Sequence, residues 1–362
     1  MDVSRYAVIG VDSGNTKTAA VCATLDGALL THNRVGPSNY QTLGSAGARD
    51  MLLEAVLPLA VTAADKGVTL TGFGFGLTGL DRPQDEAVLD RVTDHIITCC
   101  SQKADCLSSP RKAMVNDVAL VLRAGTDDGI GVAVSSGTGG NCVGLGRDGR
   151  RIQVGGLSSE LGDGGGAYDI ARTGMRAAGR AKDGREWPTL ITDLILERLG
   201  LESIEDVMDF MIPSDESDRA DKDLPSIIEA LGTLAPLVFQ AAAQGDLVAI
   251  RILMDAGRDL GLAAAIAGSR LGFSPDEAFP LVLGGSVLAN AEDPTLEKAI
   301  VAQARTRFPR ILPVKLAFHP VLGAALMALD EVAGEPDFAD LKGPLADGAL
   351  RRCLGPKVTG LF

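Results

Sequence analysis

The sequence has little that would suit a nucleic-acid-binding, membrane-spanning or secreted protein. It holds 34 Lys and Arg against 47 Asp and Glu, a net charge of −13, and no basic cluster long enough to follow a phosphate backbone. Its apolar runs, such as residues 262–267, are far shorter than the roughly 20 residues that cross a bilayer. We therefore expect neither nucleic acid nor a membrane as a partner.

The six cysteines form no CxxC pair, and the first ten residues lack the basic-then-apolar pattern of a signal peptide. We predict reduced thiols in a cytoplasmic protein. His95 and Cys99 are four residues apart, but no further His or CxxC completes a metal-site spacing, so we interpret them as ordinary helix residues. The cysteines are Cys22, Cys99, Cys100, Cys106, Cys142 and Cys353.

What remains is an ordinary globular composition, with 46% apolar and 22% charged residues. A length of 362 residues favours two domains over one.

The first part of the chain predicts a three-stranded antiparallel meander followed by alternating helices and strands. Asp26-Gly27 is a strong hairpin signal because glycine accepts a positive φ. The predicted strands cover residues 6–11, 18–24, 28–34 and 68–77, and the predicted helices cover 49–64 and 85–97.

The opening pattern recurs. Residues 130–135 predict a strand, residues 136–140 a Gly-rich turn, residues 141–145 a second strand, and Asp148-Gly149 a hairpin turn. A repeat of this length predicts two related domains.

The rest of the chain predicts long helices and one buried strand. Helical patterns cover residues 167–181, 188–199 and 227–271, the strand covers 280–283, a charged loop covers 214–223, and the tail from residue 334 shows little periodicity.

The polar turn after the first strand has the composition of a site for a metal-bound triphosphate. The carboxylate can hold a metal-bound water while backbone amides meet phosphate oxygens. A hairpin tip without function is the alternative interpretation of this turn alone. The turn consists of Asp12, Ser13, Gly14, Asn15, Thr16 and Lys17.

The second turn lacks a carboxylate, as expected if one lobe supplies the metal site and the other only donors for phosphate oxygens. A Gly-rich linker is the competing interpretation. This turn contains Ser136, Gly137, Thr138, Gly139 and Gly140.

A third candidate follows the buried strand, where Gly284-Gly285 would let an adenine or ribose approach the backbone and Ser286 would cap the next helix. An ordinary strand-to-helix turn explains this motif equally well.

Taken in order, these motifs resemble the BadF/BadG/BcrA/BcrD ATPase family, and within it the N-acetylglucosamine kinases. The resemblance covers about residues 6–330 and includes Asn116-Asp117, the Gly-rich segment 155–168 and the segment 319–324 (HPVLGA). It implies an α/β fold of duplicated ribonuclease-H-like domains, the actin-like ATPase fold, with mixed five-stranded sheets and a central cleft for ATP and sugar.

The resemblance also implies residue roles. Asp117 would orient the sugar hydroxyl and accept its proton, and Asp12 would hold Mg²⁺ through water. The implied sugar ligands are Asn39, Asn141, Gly156 and Asp163, although Asn39 could instead cap a local turn or helix and Asp163 the following helix.

The sequence departs from the family pattern in the sugar segment. Leu157 replaces a Trp, Ser158 a Gly and Gly164 a Glu, which removes a stacking surface and an acceptor. Glucosamine, another amino sugar or a different polyol is therefore a possible substrate as well as N-acetylglucosamine.

The resulting prediction is an ATP- and Mg²⁺-dependent amino-sugar kinase that acts on a small-molecule sugar, with a homodimer left open. The predicted domains are residues 1–118 and 119–318, a helix at 319–334 returning to the first domain, and a tail at 335–362 of unknown role.

Two alternative functions would require different residues from those present. An ATPase that activates a partner enzyme through an iron–sulfur cluster would need a Cys just before the second turn, where this chain has Ser135 and Ser136, with Cys142 after the turn. A non-catalytic ATP or sugar sensor would not need Asp117.

Overall fold

The computed structural model describes residues 2–104, 106–207 and 231–333. Its strands are β1 (Tyr6–Ser13), β2 (Thr18–Thr24), β3 (Leu29–Val35), β4 (Thr69–Leu77), β5 (Leu107–Asn116), β6 (Gly131–Ser136), β7 (Gly140–Leu145), β8 (Arg151–Gly155), β9 (Pro280–Gly284) and β10 (Leu312–Lys315). Its helices are α1 (Tyr40–Asp65), α2 (Pro83–Lys103), α3 (Asp117–Gly125), α4 (Ala167–Lys182), α5 (Leu190–Leu199), α6 (Ala235–Ala243), α7 (Leu247–Arg270), α8 (Ser286–Asn290), α9 (Thr295–Arg305) and α10 (Val321–Val332).

The strands form two five-stranded sheets with the same internal order. The first sheet runs β3-β2-β1-β4-β5, and the second, taken from its β8 edge, runs β8-β7-β6-β9-β10. In the first sheet β1 pairs antiparallel with β2 and parallel with β4, and β4 pairs parallel with β5. The predicted duplication, the mixed first sheet and the opening meander are confirmed.

The chain divides into two compact units. Of the described residues, the first unit contains 2–133, 147–149 and 314–333, and the second contains the remainder of 134–313. The domain limits expected at residues 118 and 318 stay a prediction. The charged loop at 214–223 and the tail at 335–362 lie outside the described residues.

Both faces of the first sheet are covered. Along β1, Ile9 and Val11 belong to a buried cluster with apolar side chains of α1 and α2, whereas Val8 belongs to a cluster with α10. This alternation follows from the two-residue period of a strand, and a sheet covered on both faces needs apolar residues at successive positions.

The α10 face of the sheet is lined by glycine, so that helix backbone and strand backbone touch. A Cβ atom on Gly74 would lie 2.0 Å from the carbonyl oxygen of Ala324, and one on Gly10 would lie 2.4 Å from the amide nitrogen of Ala325. Any larger residue at these positions would push α10 off the sheet.

Helix α3 is fixed to α10 in turn. A Cβ atom on Gly323 would lie 2.1 Å from the carbonyl oxygen of Leu120. The buried guanidinium of Arg123 donates to both carboxylate oxygens of Asp330, at 2.8 and 2.9 Å. A bidentate pair of this kind fixes orientation as well as distance.

Helix α1 begins nine residues before its predicted start. Asn39 accepts a hydrogen bond from the amide of Gln41 and caps a first turn, and Gly44, at φ 70° and ψ 168°, separates that turn from the long helix. The break at Gly44 hid the first turn because it interrupts the apolar period.

From residue 233 onward, the predicted helical stretch at 227–271 is divided into two helices. Gly245 at φ +86° ends α6, and Asp246 begins α7 by accepting a hydrogen bond from the amide of Ala249 at 2.8 Å. This Gly-Asp pair is a helix-stop and helix-start signal that the sequence contained.

No single helix among the described residues is both long and apolar enough to cross a membrane; only the bent pair α6 and α7 meets those criteria together. The five cysteines that the structure describes are free of disulfides.

We expect Gly74→Ala to lower the free energy of unfolding by about 3 kcal/mol, because its methyl group would overlap the Ala324 carbonyl oxygen. Gly179→Ala is the matched control, since a Cβ there meets nothing within 4 Å in helix α4 and alanine favours a helix by about 0.5–1 kcal/mol. Denaturant unfolding of both variants measures the difference. A Gly74→Ala loss below about 1 kcal/mol would contradict the close packing of α10.

Candidate active site

Three parallel strands of the first unit end side by side. Ser13 of β1 pairs with Leu77 of β4, and Leu77 pairs with Asn116 of β5. The carboxyl ends of adjacent parallel strands are where open α/β sheets commonly bind ligands. The residues that follow these three ends form the polar edge described next.

Asp12 lies one residue before the end of β1, and its side chain is 19% exposed. Burial and the nearby charge of Asp117 raise its pKa to about 7, while Lys17 acts in the opposite direction. The two carboxylates therefore oppose each other's ionisation, which is the electrostatic setting that a bound cation relieves.

Hydrogen bonds within the turn and beneath it hold the turn after Asp12 in place. The Gly14 amide donates to the Lys17 carbonyl at 3.0 Å, and the side-chain amide of Asn39 donates to Asn15 at 2.7 Å. Below it, Ser38 forms a buried hydroxyl chain with Ser13 and Thr18 through contacts of 2.7 and 2.6 Å. Asn15 and Thr16 stay exposed at the tip. The turn is thus a rigid, solvent-facing element.

Asn39 has two duties in this arrangement. Its carbonyl oxygen caps α1, and its nitrogen holds the phosphate-type turn through Asn15. The capping alternative for Asn39 is therefore observed, and its contact with a sugar stays a prediction.

Asp117 is the first residue of α3, placed there because Asn116 ends β5 and caps the helix by accepting from the Val118 amide. Its Oδ2 lies 2.6 Å from the Thr78 hydroxyl, which also lies 2.6 Å from the Ser13 carbonyl oxygen. Burial raises the pKa of Asp117, the hydrogen bond from Thr78 lowers it, and the charge of Asp81 raises it, which together give a value of about 6. A carboxylate with a pKa near neutrality is suited to accept a proton.

His319 approaches Asp12 from the segment before α10. Its Nδ1 accepts a hydrogen bond from the Val321 amide at 3.2 Å and lies 3.8 Å from Asp12 Oδ2. Burial and the charges of Lys17 and Arg34 lower the pKa of His319 to about 4. The imidazole is therefore uncharged at neutral pH, and its contact with Asp12 is not an ion pair.

This edge of the first unit is suited to a magnesium ion. Asp12 and Asp117 repel each other when both are ionised. The described residues contain no group of three or more metal-ligating side chains, so further ligands would have to be water or phosphate oxygens, which Mg²⁺ prefers. Asp12 is the residue that would hold the ion.

The second turn is built into the second unit by its own hydrogen bonds. The Gly137 amide donates to the Gly139 carbonyl at 3.0 Å, and the buried Ser136 hydroxyl donates to the Gly165 carbonyl at 2.5 Å. The first amides of α4 donate to the carbonyls of Gly137 and Thr138 at 2.8 and 3.1 Å. These bonds use the first amides of α4 as donors, so they fix the turn against the start of the helix.

The third motif meets the second turn directly. A Cβ atom on Gly285 would lie 2.3 Å from the carbonyl oxygen of Ser136, so β9 can end against β6 only with glycine at this position. Ser286 is the first residue of α8 and not its cap, because Gly285 takes the capping position without a side-chain bond. The predicted capping role of Ser286 is wrong.

The Gly-rich loop after β8 surrounds Asp163. Its Oδ2 accepts from the amides of Leu157 and Ser158 at 2.5 and 2.7 Å. Helix α4 begins after Gly166, so the alternative role of Asp163 as its cap is wrong. Gly156 packs on the side chain of Asn141, whose buried Oδ1 has no hydrogen-bond partner among the described residues. An orphaned buried acceptor of this kind is suited to a ligand hydroxyl or amide.

Each unit thus gathers its own share of the predicted residues. The first unit brings together Asp12, Gly14, Asn15, Thr16, Lys17, Asn39 and Asp117. The second unit brings together Ser136, Gly137, Thr138, Gly139, Asn141, Gly156, Asp163, Gly284, Gly285 and Ser286.

Three residues of the first unit's polar edge were not predicted as site residues: Thr78, Asp81 and His319. Thr78 and Asp81 follow a predicted strand, and ligand sites collect at the carboxyl ends of parallel strands. The position of Thr78 and Asp81 after a predicted strand could therefore have identified both as candidate site residues. The proximity of His319 to Asp12 joins residues about 300 positions apart, which no local pattern reports.

These two sheets of equal strand order, each with a polar turn after its first strand, have the fold of the actin-like ATPases and sugar kinases. A structure from Chromobacterium violaceum, named provisionally as an N-acetylglucosamine kinase, aligns with a TM-score of 0.62 and 21% identity over 90% of this chain and 99% of its own. The chain belongs to the BadF/BadG/BcrA/BcrD ATPase family, whose model matches residues 9–328.

Two curated relatives cover nearly the whole chain. It is 27% identical to the N-acetyl-D-glucosamine kinase of Dictyostelium discoideum, over 91% of this chain and 99% of the relative. It is 26% identical to the N-acetylmuramic acid/N-acetylglucosamine kinase of Clostridium acetobutylicum, over 90% and 98%.

We expect Asp12→Asn to stabilise the metal-free protein more at pH 8 than at pH 5. A carboxyl whose pKa is raised from 3.8 to about 7 by folding loses stability as pH rises through that interval, and the amide removes this loss. The gain at pH 8 is at most about 4 kcal/mol, from about 1.4 kcal/mol per pKa unit. Unfolding in EDTA at both pH values measures it.

Asp65→Asn, at the exposed end of α1, is the control that changes net charge equally. An equal effect of both variants, or an effect of Asp12→Asn that does not grow with pH, would argue against a destabilising buried charge at residue 12.

Proposed function

We propose that this protein is an ATP-dependent kinase that transfers a phosphoryl group to a hydroxyl of an amino sugar, N-acetylglucosamine or glucosamine. The observation that carries the proposal is the pair of opposed carboxylates at the strand ends of the first unit. Asp117 has a pKa raised to about 6 and a hydrogen bond to Thr78, and Asp12 lies close enough to be repelled by its charge. The curated relatives named as sugar kinases support the same reaction.

Three residues at the polar edge of the first unit have roles in this proposal. Asp117 orients the acceptor hydroxyl and takes its proton as the bond to phosphorus forms. Thr78 fixes the carboxylate through its 2.6 Å contact, so that one oxygen stays directed at the acceptor. Lys17 adds positive charge beside Asp12 at the phosphate turn.

Magnesium, held by Asp12, would neutralise charge that develops on the phosphate oxygens. A cation here would reduce the repulsion from Asp117 that raises the pKa of Asp12, and its charge would favour the ionised form of both carboxylates. The first unit therefore gains its active charge state when metal and nucleotide bind.

The residues of the second unit supply backbone amides, an amide side chain and a carboxylate in this proposal. The amides of Thr138 and Gly139 meet phosphate oxygens, and Gly285, packed against Ser136, places the end of β9 beside this turn. Asn141, with its unpartnered buried Oδ1, and Asp163 bind the sugar. The cytoplasm as its compartment and a homodimer as its assembly stay predictions from the sequence.

We expect ADP to be released from ATP only when an amino sugar is present, and Asp117→Asn to lower kcat by at least about 100-fold while ATP still binds. Loss of a general base commonly costs that much, and the amide keeps the size of the side chain. A coupled ADP assay over glucosamine, N-acetylglucosamine, glucose and a polyol tests the first part, with calorimetry for ATP binding. Mass spectrometry of the product locates the new phosphate.

ADP release that is independent of any sugar would contradict kinase activity and favour an ATPase. Near-normal turnover of Asp117→Asn would remove Asp117 from the reaction while leaving the kinase proposal intact.

We expect kcat/KM for the sugar to fall as pH decreases through about 6, because a protonated Asp117 cannot accept the hydroxyl proton. The raised pKa places this loss well above the ordinary range of an aspartate. A profile of kcat/KM against pH at saturating Mg-ATP measures this loss. Charge neutralisation by the metal would lower the apparent pKa of the profile and would not raise it. A profile that is flat down to pH 4.5 would contradict Asp117 as the base.

A further inference from the structure

A cavity of about 260 Å³ lies between α7 and the loop that carries Asp163, within the second unit. Asn141, Gly155 and Asp163 line one side, and α7 supplies the opposite wall, which no sequence motif had indicated. The wall consists of Asp259, Leu260, Leu262, Ala263 and Ile266.

The wall has an apolar part that is open to solvent. Leu262 is 50% exposed and Ile266 39% exposed, one turn apart on the same side of α7. Large apolar side chains beside polar ones in a concave site are typical of small-molecule binding, and the C–H face of a sugar or an acyl methyl group would cover them. This apolar part accepts a sugar whether or not its amine is acylated.

Charge distinguishes the ligands more sharply than shape does. Of the described residues lining this cavity, the charged ones are Asp163 and Asp259, and none is basic. A third carboxylate, Asp169, lies close behind the loop but pairs with Arg172 at 3.4 Å, so it adds little net charge. The two lining carboxylates give the cavity a negative potential.

Asp259 reaches the loop because residue 164 is a glycine. A Cβ atom on Gly164 would lie 2.9 Å from Asp259 Oδ2, so the carboxylate stands directly against the loop next to Asp163. Asp163 already accepts hydrogen bonds from two backbone amides through Oδ2, whereas Asp259 is exposed to solvent and lines the cavity. Partial burial raises the pKa of Asp259, and so do the negative charges of Asp169 and Asp255. This shift is consistent with the negative potential of the cavity.

We infer that, if the proposed kinase function holds, this cavity accepts neutral and cationic amino sugars and rejects acidic ones, and that Asp259 determines this selection. A carboxylate on the sugar would be brought beside Asp163 and Asp259 without a basic partner from the cavity wall, whereas an ammonium group would be attracted. The substrate class is therefore an amino sugar without an acidic substituent.

The test compares kcat/KM for glucosamine, N-acetylglucosamine and N-acetylmuramic acid, the last of which carries a carboxylate. For the unmodified protein we expect N-acetylmuramic acid to be the poorest substrate by at least about tenfold at low ionic strength, with the gap narrowing as salt is added. For Asp259→Asn we expect the ratio of kcat/KM for N-acetylmuramic acid to kcat/KM for N-acetylglucosamine to rise about fivefold.

Asp65→Asn, at the exposed end of α1 in the first unit, is the matched control. It removes the same charge from a residue that neither lines this cavity nor acts on the pKa of Asp259. We expect it to change the substrate ratio by less than about twofold. Dissociation constants for the three sugars, measured by calorimetry without ATP, give a second reading that does not depend on turnover.

Equal effects of Asp259→Asn and Asp65→Asn on the kcat/KM ratio, or equal use of acidic and neutral sugars by the unmodified protein, would refute this selection while leaving the kinase proposal in place. Absence of sugar-dependent ADP release with all three sugars would instead refute the kinase proposal itself.

Discussion

Backbone contact between α10 and the first sheet is the constraint on which the candidate site depends. Gly10 and Gly74 let the helix lie directly on the strands, and Gly323 lets α3 lie directly on α10. Because α3 begins at Asp117 and α10 begins just after His319, these contacts set where both residues lie relative to β1. Arg123 and Asp330 fix the rotation of the two helices about each other.

That scaffold holds an arrangement that is unfavourable by itself. Asp12 and Asp117 are kept close enough to raise each other's cost of ionisation, and an uncharged His319 contributes no compensating charge. Stability that the packed helices provide thus offsets the cost of holding two carboxylates in an arrangement that a cation would relieve. Preorganisation of this kind is what phosphoryl transfer requires, since its catalysis is mostly positioning and charge neutralisation.

The duplicated units share a strand order but differ in chemistry. The turn after β1 follows a carboxylate, whereas the turn after β6 follows Ser136, whose hydroxyl bonds to the Gly165 carbonyl. In the second unit, glycines replace side chains wherever the turn, the Asp163 loop and the end of β9 meet. One unit is therefore suited to metal and proton transfer, and the other to recognition by backbone and amide groups.

The sequence by itself determined the two related α/β domains, the strand–turn–strand openings and the polar turns, because two-residue periodicity and glycine turns are local properties, whereas the roles of Asn39, Asp117, Asn141, Gly156 and Asp163 came only from the family resemblance. It placed the ends of α1, α6 and α7 less well, since Gly44 and Gly245 act through backbone angles that an apolar period does not record. Only the tertiary structure decided that His319 lies beside Asp12 and that Asp259 lies against Gly164. Those contacts depend on helix packing between residues far apart in the chain, which no local pattern contains.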